Sequence, residues 1–149
     1  YFNDLMELRD FINHFYARVD KKGKEDFKNF LKSESLLKQR KIFEANQLLD
    51  HIKRNNTNET ISPLISLRSA IILTRLKRYD EALNKLTFLE GTMFSDRAII
   101  MSGQIYERFY DDSPKAIEFY LRIIDNHSNS IFSEPIRYHL RKLLEDEKI

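Results

Sequence analysis

No cysteine and no tryptophan occur in the 149 residues, and glycine and proline are present only three times each. The first absence removes disulfides, thiolate metal sites and cysteine nucleophiles together, though it assigns no redox compartment. The glycines stand alone at positions 23, 91 and 103, so no glycine-rich phosphate-binding loop exists. So few glycines and prolines also mean that little of the chain is loop. No apolar run approaches the roughly 18 residues that cross a bilayer, and no signal-peptide pattern is visible. An excess of one charge is lacking too. The 25 basic and 23 acidic residues are interspersed, and a net charge of +2 gives no electrostatic reason to expect nucleic acid or an anionic membrane.

What is present is helix-forming. Hydrophobic residues make up 42% and charged residues 32%, too apolar for disorder, and the length suits one domain with a core of its own. The chain begins at Tyr1 rather than Met, so it is expected to be a fragment or a processed product, with room upstream for a targeting segment or further repeats. Leu5, Leu8, Ile12 and Phe15 share one face of a helix over 3–19, which Lys21-Lys22-Gly23-Lys24 is expected to end as a basic loop. A second helix runs from Glu25 to Lys38, and a third carries Ala45, Leu48, Leu49 and Ile52. Ser62-Pro63 and Ser113-Pro114 read as cap and first turn of two more, and Pro135 falls in the first turn of the last. Helices over about 63–76, 80–90 and 96–110 complete an all-α reading, with Gly91 marking an exit.

An internal period organises these helices. Ala45 in Ile42-Phe43-Glu44-Ala45, Ala82 in Tyr79-Asp80-Glu81-Ala82 and Ala116 in Ser113-Pro114-Lys115-Ala116 each open a helix, 37 and 34 residues apart. A repeat of about 34 residues, helix, turn and helix, is the period of tetratricopeptide arrays, and the chain resembles that family. Ala70 and Ala82 match the small residues of the first and second helices of a pair, Tyr79 the aromatic before the turn closes, and Leu86 and Leu89 the larger fillers. Gly103, Tyr106, Ala116, Tyr120 and Ile123 fit the next repeat, with one extra residue expected in the turn through Asp111-Asp112-Ser113. Ser33, Leu36, Ala45, Leu49 and Ile52 fit the first, where Arg40 replaces the usual turn glycine. The family's tryptophan is missing, and Ser128 stands where a terminal proline is common.

The resemblance implies an all-α, right-handed superhelical solenoid of about three hairpins forming one domain over 1–149. Its parts would be an N-terminal helix at 3–19, repeats at 24–56, 62–91 and 95–126, and a capping helix at 133–147. The closing segment, Ile105 to Arg141, is similar to the C-terminal end of long bacterial tetratricopeptide proteins of the cell envelope. That likeness implies an envelope or periplasmic setting, with a cytoplasmic one as the alternative.

Chemistry is sparse. His14, His51, His127 and His139 have no ligand-type spacing and read as solvated or packing side chains. Asp111-Asp112 favours the positive N-terminus of the following helix over a metal. No catalytic residue, cofactor, metal or small-molecule substrate is expected. In the family's geometry the concave face maps to Phe27, Phe30, Leu64, Leu67, Ile71, Ile100, Gln104 and Glu107. A carboxylate clamp would need Lys, Arg and Asn at those places; an apolar groove instead suits a partner helix or peptide. The expected function is a protein-interaction scaffold within a multi-protein complex, touching membrane only indirectly, unless the helix over 3–19 fills the groove itself. The alternative is a nucleic-acid-binding repeat using a basic ridge of Lys38, Arg40, Lys41, Arg75, Lys77 and Arg78.

Overall fold

A computed structural model describes residues 13, 14, 16–55 and 61–146, and among them every regular element is helical. Helix α1 (Lys21–Lys38) is followed by α2 (Ile42–Asn55), α3 (Ser62–Arg75), α4 (Tyr79–Thr87) and α5 (Ser95–Ile105). A π-helical turn over Tyr106–Tyr110 extends α5, and α6 (Ser113–Asn126) and α7 (Ser133–Asp146) follow. The all-helical repeat expected from the sequence is the observed fold class. The helix expected over 3–19 lies mostly outside the described residues, although Asn13, His14 and Tyr16 are helical.

Local chemistry moves several boundaries. Lys21 to Lys24 is not a loop but the first turn of α1, because the Asp20 carboxylate accepts the Gly23 N–H at 2.7 Å and caps the helix there. Asp112, and not Ser113, caps α6 by accepting the Lys115 N–H at 3.0 Å, with Pro114 in the first turn. Helix α4 stops at Thr87, short of the expected Glu90. The Leu89 and Glu90 N–H groups bond back only three residues, and Gly91 then takes a φ of +79°.

The chain divides into two compact units, Tyr1–Ile72 and Leu73–Ile149, with the division inside α3. In the first, α1 packs on α2 through Phe27, Phe30, Ala45, Leu49 and Ile52, all buried. Tyr16 lays its ring on Phe27 at 5.9 Å, and Arg68 Nε of α3 lies 2.6 Å from Glu34 of α1. In the second, α5 packs on α4 and α6, and α6 on α7. Its core gathers Ile99, Ile100, Ala116, Tyr120, Ile123, Ile136 and Leu140.

The repeat is written into the backbone as well as the side chains. Among the described residues, three non-glycine residues have positive φ: Arg40 (63°), Lys77 (60°) and Asp111 (54°). Each precedes by five positions one of the alanines that mark the period, and Ala45, Ala82 and Ala116 are all 0% exposed. Arg40 and Lys77 N–H bond to Leu37 and Thr74 carbonyls, and the next N–H groups, of Lys41 and Arg78, reach Leu36 and Leu73. That paired pattern is a Schellman stop, which needs the left-handed residue normally supplied by glycine.

The third turn differs. From the small first-helix residue to the left-handed one is seven residues in the first two repeats (Ser33 to Arg40, Ala70 to Lys77) and eight in the third (Gly103 to Asp111). The extra residue is therefore not in the turn, as expected, but in the helix. The last turn of α5 widens into the π-helix, and the Asp111 and Asp112 N–H groups both reach the Tyr106 carbonyl. A π turn is how a helix absorbs one inserted residue, and it keeps the five-residue link to Ala116 intact.

Two outcomes are expected in urea unfolding. Arg40→Gly and Lys77→Gly should each stabilise the chain by roughly 0.5–1 kcal/mol, since the roughly 1–2 kcal/mol that an L side chain costs in the left-handed region is partly offset by the extra backbone entropy glycine loses on folding. Gly103→Ala should destabilise it by about 1–3 kcal/mol, because its Cβ would sit 2.6 Å from the buried ring of Tyr120.

Candidate functional site

Of the eight residues expected on a concave face, five are core. Phe27, Phe30, Leu64, Leu67 and Ile100 are at most 9% exposed, while Ile71, Gln104 and Glu107 are half-buried. The apolar first-helix stripe records what a helix buries, and the same pattern arises whether the cover is a partner or the chain itself. Leu67 is therefore a packing residue, and a charge placed there would attack the core rather than a docking surface.

Glu107 is engaged within the chain. It stands in the π turn, and its carboxylate accepts the Tyr120 hydroxyl at 2.6 Å. His139 Nε2 of α7 lies 2.9 and 3.1 Å from its two oxygens, so Nε2 carries the proton, because an ionised carboxylate only accepts. Burial disfavours the charge, but the Tyr120 and His139 bonds together outweigh it and hold the Glu107 carboxyl below its ordinary value. The same arrangement pushes the Tyr120 hydroxyl upward, through burial first and then the bond to Glu107. His139 also meets the Tyr120 ring edge-on at 5.4 Å. One carboxylate thus joins the π turn, α6 and α7. Sequence reasoning missed the role of His139, because its partner is 32 residues away and only the repeat register could pair them.

Elsewhere in the same unit, His127 Nδ1 lies 2.6 Å from Asp96 beside an open polar hollow of about 350 Å³ formed with Asn126, Ser128, Asn129 and Ser130. The Ser133 hydroxyl donates to the His127 carbonyl at 2.7 Å, so this loop is braced by its own polar groups. No group of three His, Asp or Glu side chains that could hold a metal occurs among the described residues.

The basic clusters sit where α1 and α3 end. Lys38, Arg40, Lys41, Arg75, Lys77 and Arg78 are all exposed. Cations there complement the negative ends of the helix dipoles. Lys41 approaches Glu44 at 3.9 Å, and Arg78 forks onto Glu81 at 2.6 and 2.7 Å, which removes part of the positive field a nucleic acid would need.

Paired helices, a left-handed turn and a buried alanine recurring in register define a helical-hairpin repeat protein. A family model described as a tetratricopeptide repeat-like domain matches residues 3–145. The chain belongs to the tetratricopeptide repeat-like family. No curated protein and no solved structure matches it. Domains of this family generally mediate protein–protein interactions, and the family is generally non-enzymatic.

The Glu107 lock has a pH signature. Because the folded carboxyl titrates below its ordinary value, its stabilisation is fully present above that ordinary value of 4.5 and is lost as pH falls through the folded one. Glu107→Gln should cost about 1–2 kcal/mol at pH 7. In thermal melts the gap from wild type should close as the pH falls below the ordinary carboxylate range.

Proposed function

We propose that this chain is a non-enzymatic scaffold that docks a partner helix or peptide along the first helices of its repeats, within a multi-protein complex of a bacterial envelope or periplasm. The observation that carries the docking reading is that Arg40, Lys77 and Asp111 each stand five residues before a buried alanine, so the hairpin register of the family recurs along the chain. Ile71 on α3 and Gln104 on α5 are first-helix positions that remain half-open, and they are the contacts assigned to the partner. Each acts on its own helix: the amide of Gln104 can bond a peptide backbone, and Ile71 offers an apolar contact. Support for the envelope setting is the likeness of the closing segment, Ile105 to Arg141, to the end of long envelope-associated repeat proteins.

The test is selection of binders from a displayed peptide library, followed by titration of the winning sequence. Ile71→Arg and Gln104→Arg, each with wild-type helicity, should weaken it at least tenfold, as loss of a central interface contact does. Peptides that bind the double variant as well as the wild type would overturn the first-helix assignment.

A further inference from the structure

The C-terminal unit carries a contiguous strip of five aromatic rings, of which Tyr106 and Phe119 pack against its core while Phe109 and Tyr110 stay open to solvent. Tyr79 stacks on Phe109 with centroids 4.3 Å apart and planes 13° from parallel, and meets Tyr110 edge-on at 6.1 Å. Tyr110 contacts Tyr106 at 5.5 Å, and Tyr106 stacks on Phe119 at 5.5 Å. Phe109 is 48% and Tyr110 40% exposed. The Tyr110 hydroxyl donates to Asp80, which pushes its pKa up to about 12 and leaves it a fixed donor across the physiological range.

One end of the strip shows what the rings accept. The Arg122 guanidinium lies 5.4 Å from the Phe119 centroid and 2.9 Å from Glu90, so a cation there stacks and pairs at once. At the other end the same ingredients lack the arginine. Phe109 offers an open ring, and two residues on, the exposed Asp111 carboxylate makes no hydrogen bond or ion pair among the described residues. Left-handed φ at Asp111 fixes that residue where the chain leaves the helix. Two cations close by in the chain are otherwise occupied: Arg78 forks Glu81, and Lys115 bonds Glu118 at 3.1 Å. We propose that the Tyr79–Phe109–Tyr110 end of this strip, with Asp111, is a second docking site that takes an arginine side chain from an arginine-bearing segment of a partner protein. A guanidinium is selected over an ammonium because its plane stacks on aromatic faces while its fork pairs with a carboxylate. Lys77 and Arg108, both exposed near these residues in the chain, oppose the site and limit its affinity.

Binding of hexa-arginine amide is measured by calorimetry at physiological ionic strength, beside hexa-lysine amide and a decathymidine oligonucleotide. The net charge of +2 disfavours non-specific uptake of either peptide, so saturable binding reports a local site. Hexa-arginine is expected to bind at least fivefold tighter than hexa-lysine. Phe109→Ala and the charge-only change Asp111→Asn should each weaken it at least fivefold. Arg108→Ala should tighten it, and Leu121→Ala, an exposed residue on α6 outside the strip, should change nothing. Equal affinity for the two peptides, indifference to Phe109→Ala in a variant with wild-type melting, or preference for the oligonucleotide would each overturn the assignment. None of these outcomes bears on Ile71 or Gln104, so the site stands or falls apart from the first-helix reading.

Discussion

The absence of a Cβ at position 103 is the constraint on which the C-terminal unit depends. With nothing there but hydrogen, the Tyr120 ring lies directly over α5. Its hydroxyl then falls within reach of Glu107, one turn further along the same helical stretch. Glu107, held ionised by that bond, also receives His139 and so fastens α7. A close helix crossing, a polar lock and the anchoring of the last helix form one causal sequence, and removing the first step undoes the others. Each helical repeat must bury a face it cannot cover alone, and here the cover for α6 is secured by a carboxylate as well as by apolar contact.

The turns show a different economy. Arg40, Lys77 and Asp111 accept a left-handed conformation that glycine would adopt without strain, at a cost of about 1 kcal/mol each. What they preserve is a constant five-residue interval to the alanine that enters the core. The third repeat tests how strongly that interval is held, because it carries one residue more than the others. The surplus appears as a π turn inside the helix, where hydrogen bonds can be redistributed, and not between Asp111 and Ala116, where it would rotate the buried alanine away from its partner helix. Tyr106, Phe109 and Tyr110 all belong to that π turn and are members of the aromatic strip, so the insertion and the exposed rings are structurally one feature.

Much of this was legible in the chain itself. The alanine period, the small residues Ser33, Ala70 and Gly103 and the prolines in first turns give the helical repeat, because each is a local steric demand that a sequence must satisfy residue by residue. The deviations have local causes that compete on nearly equal terms. Asp20 captured a helix start from Glu25, five positions on, and Asp112 captured one from its neighbour Ser113, since any short polar side chain upstream can cap. The Glu107–Tyr120–His139 lock was not legible, because nothing in spacings of 13 and 32 residues announces a contact until the hairpin register is known.

Most of the residues expected to line the groove are buried, for a physical reason that bears on how repeat proteins are read. Apolar residues on the inner face of a first helix and apolar residues in its core obey the same 3.6-residue period, so hydrophobicity alone cannot separate a surface awaiting a partner from a surface already covered. Phe27, Phe30, Leu64, Leu67 and Ile100 satisfy the pattern by being core. What distinguishes a surface available for recognition is incomplete use: a half-open Ile71 or Gln104 beside buried neighbours, or the Phe109 ring, stacked on one side by Tyr79 and almost half exposed. In the third repeat the open rings of Phe109 and Tyr110 occur where the helix departs from the regular spacing, whereas the residues that mark the period, Ala45, Ala82 and Ala116, are spent on holding the helices together.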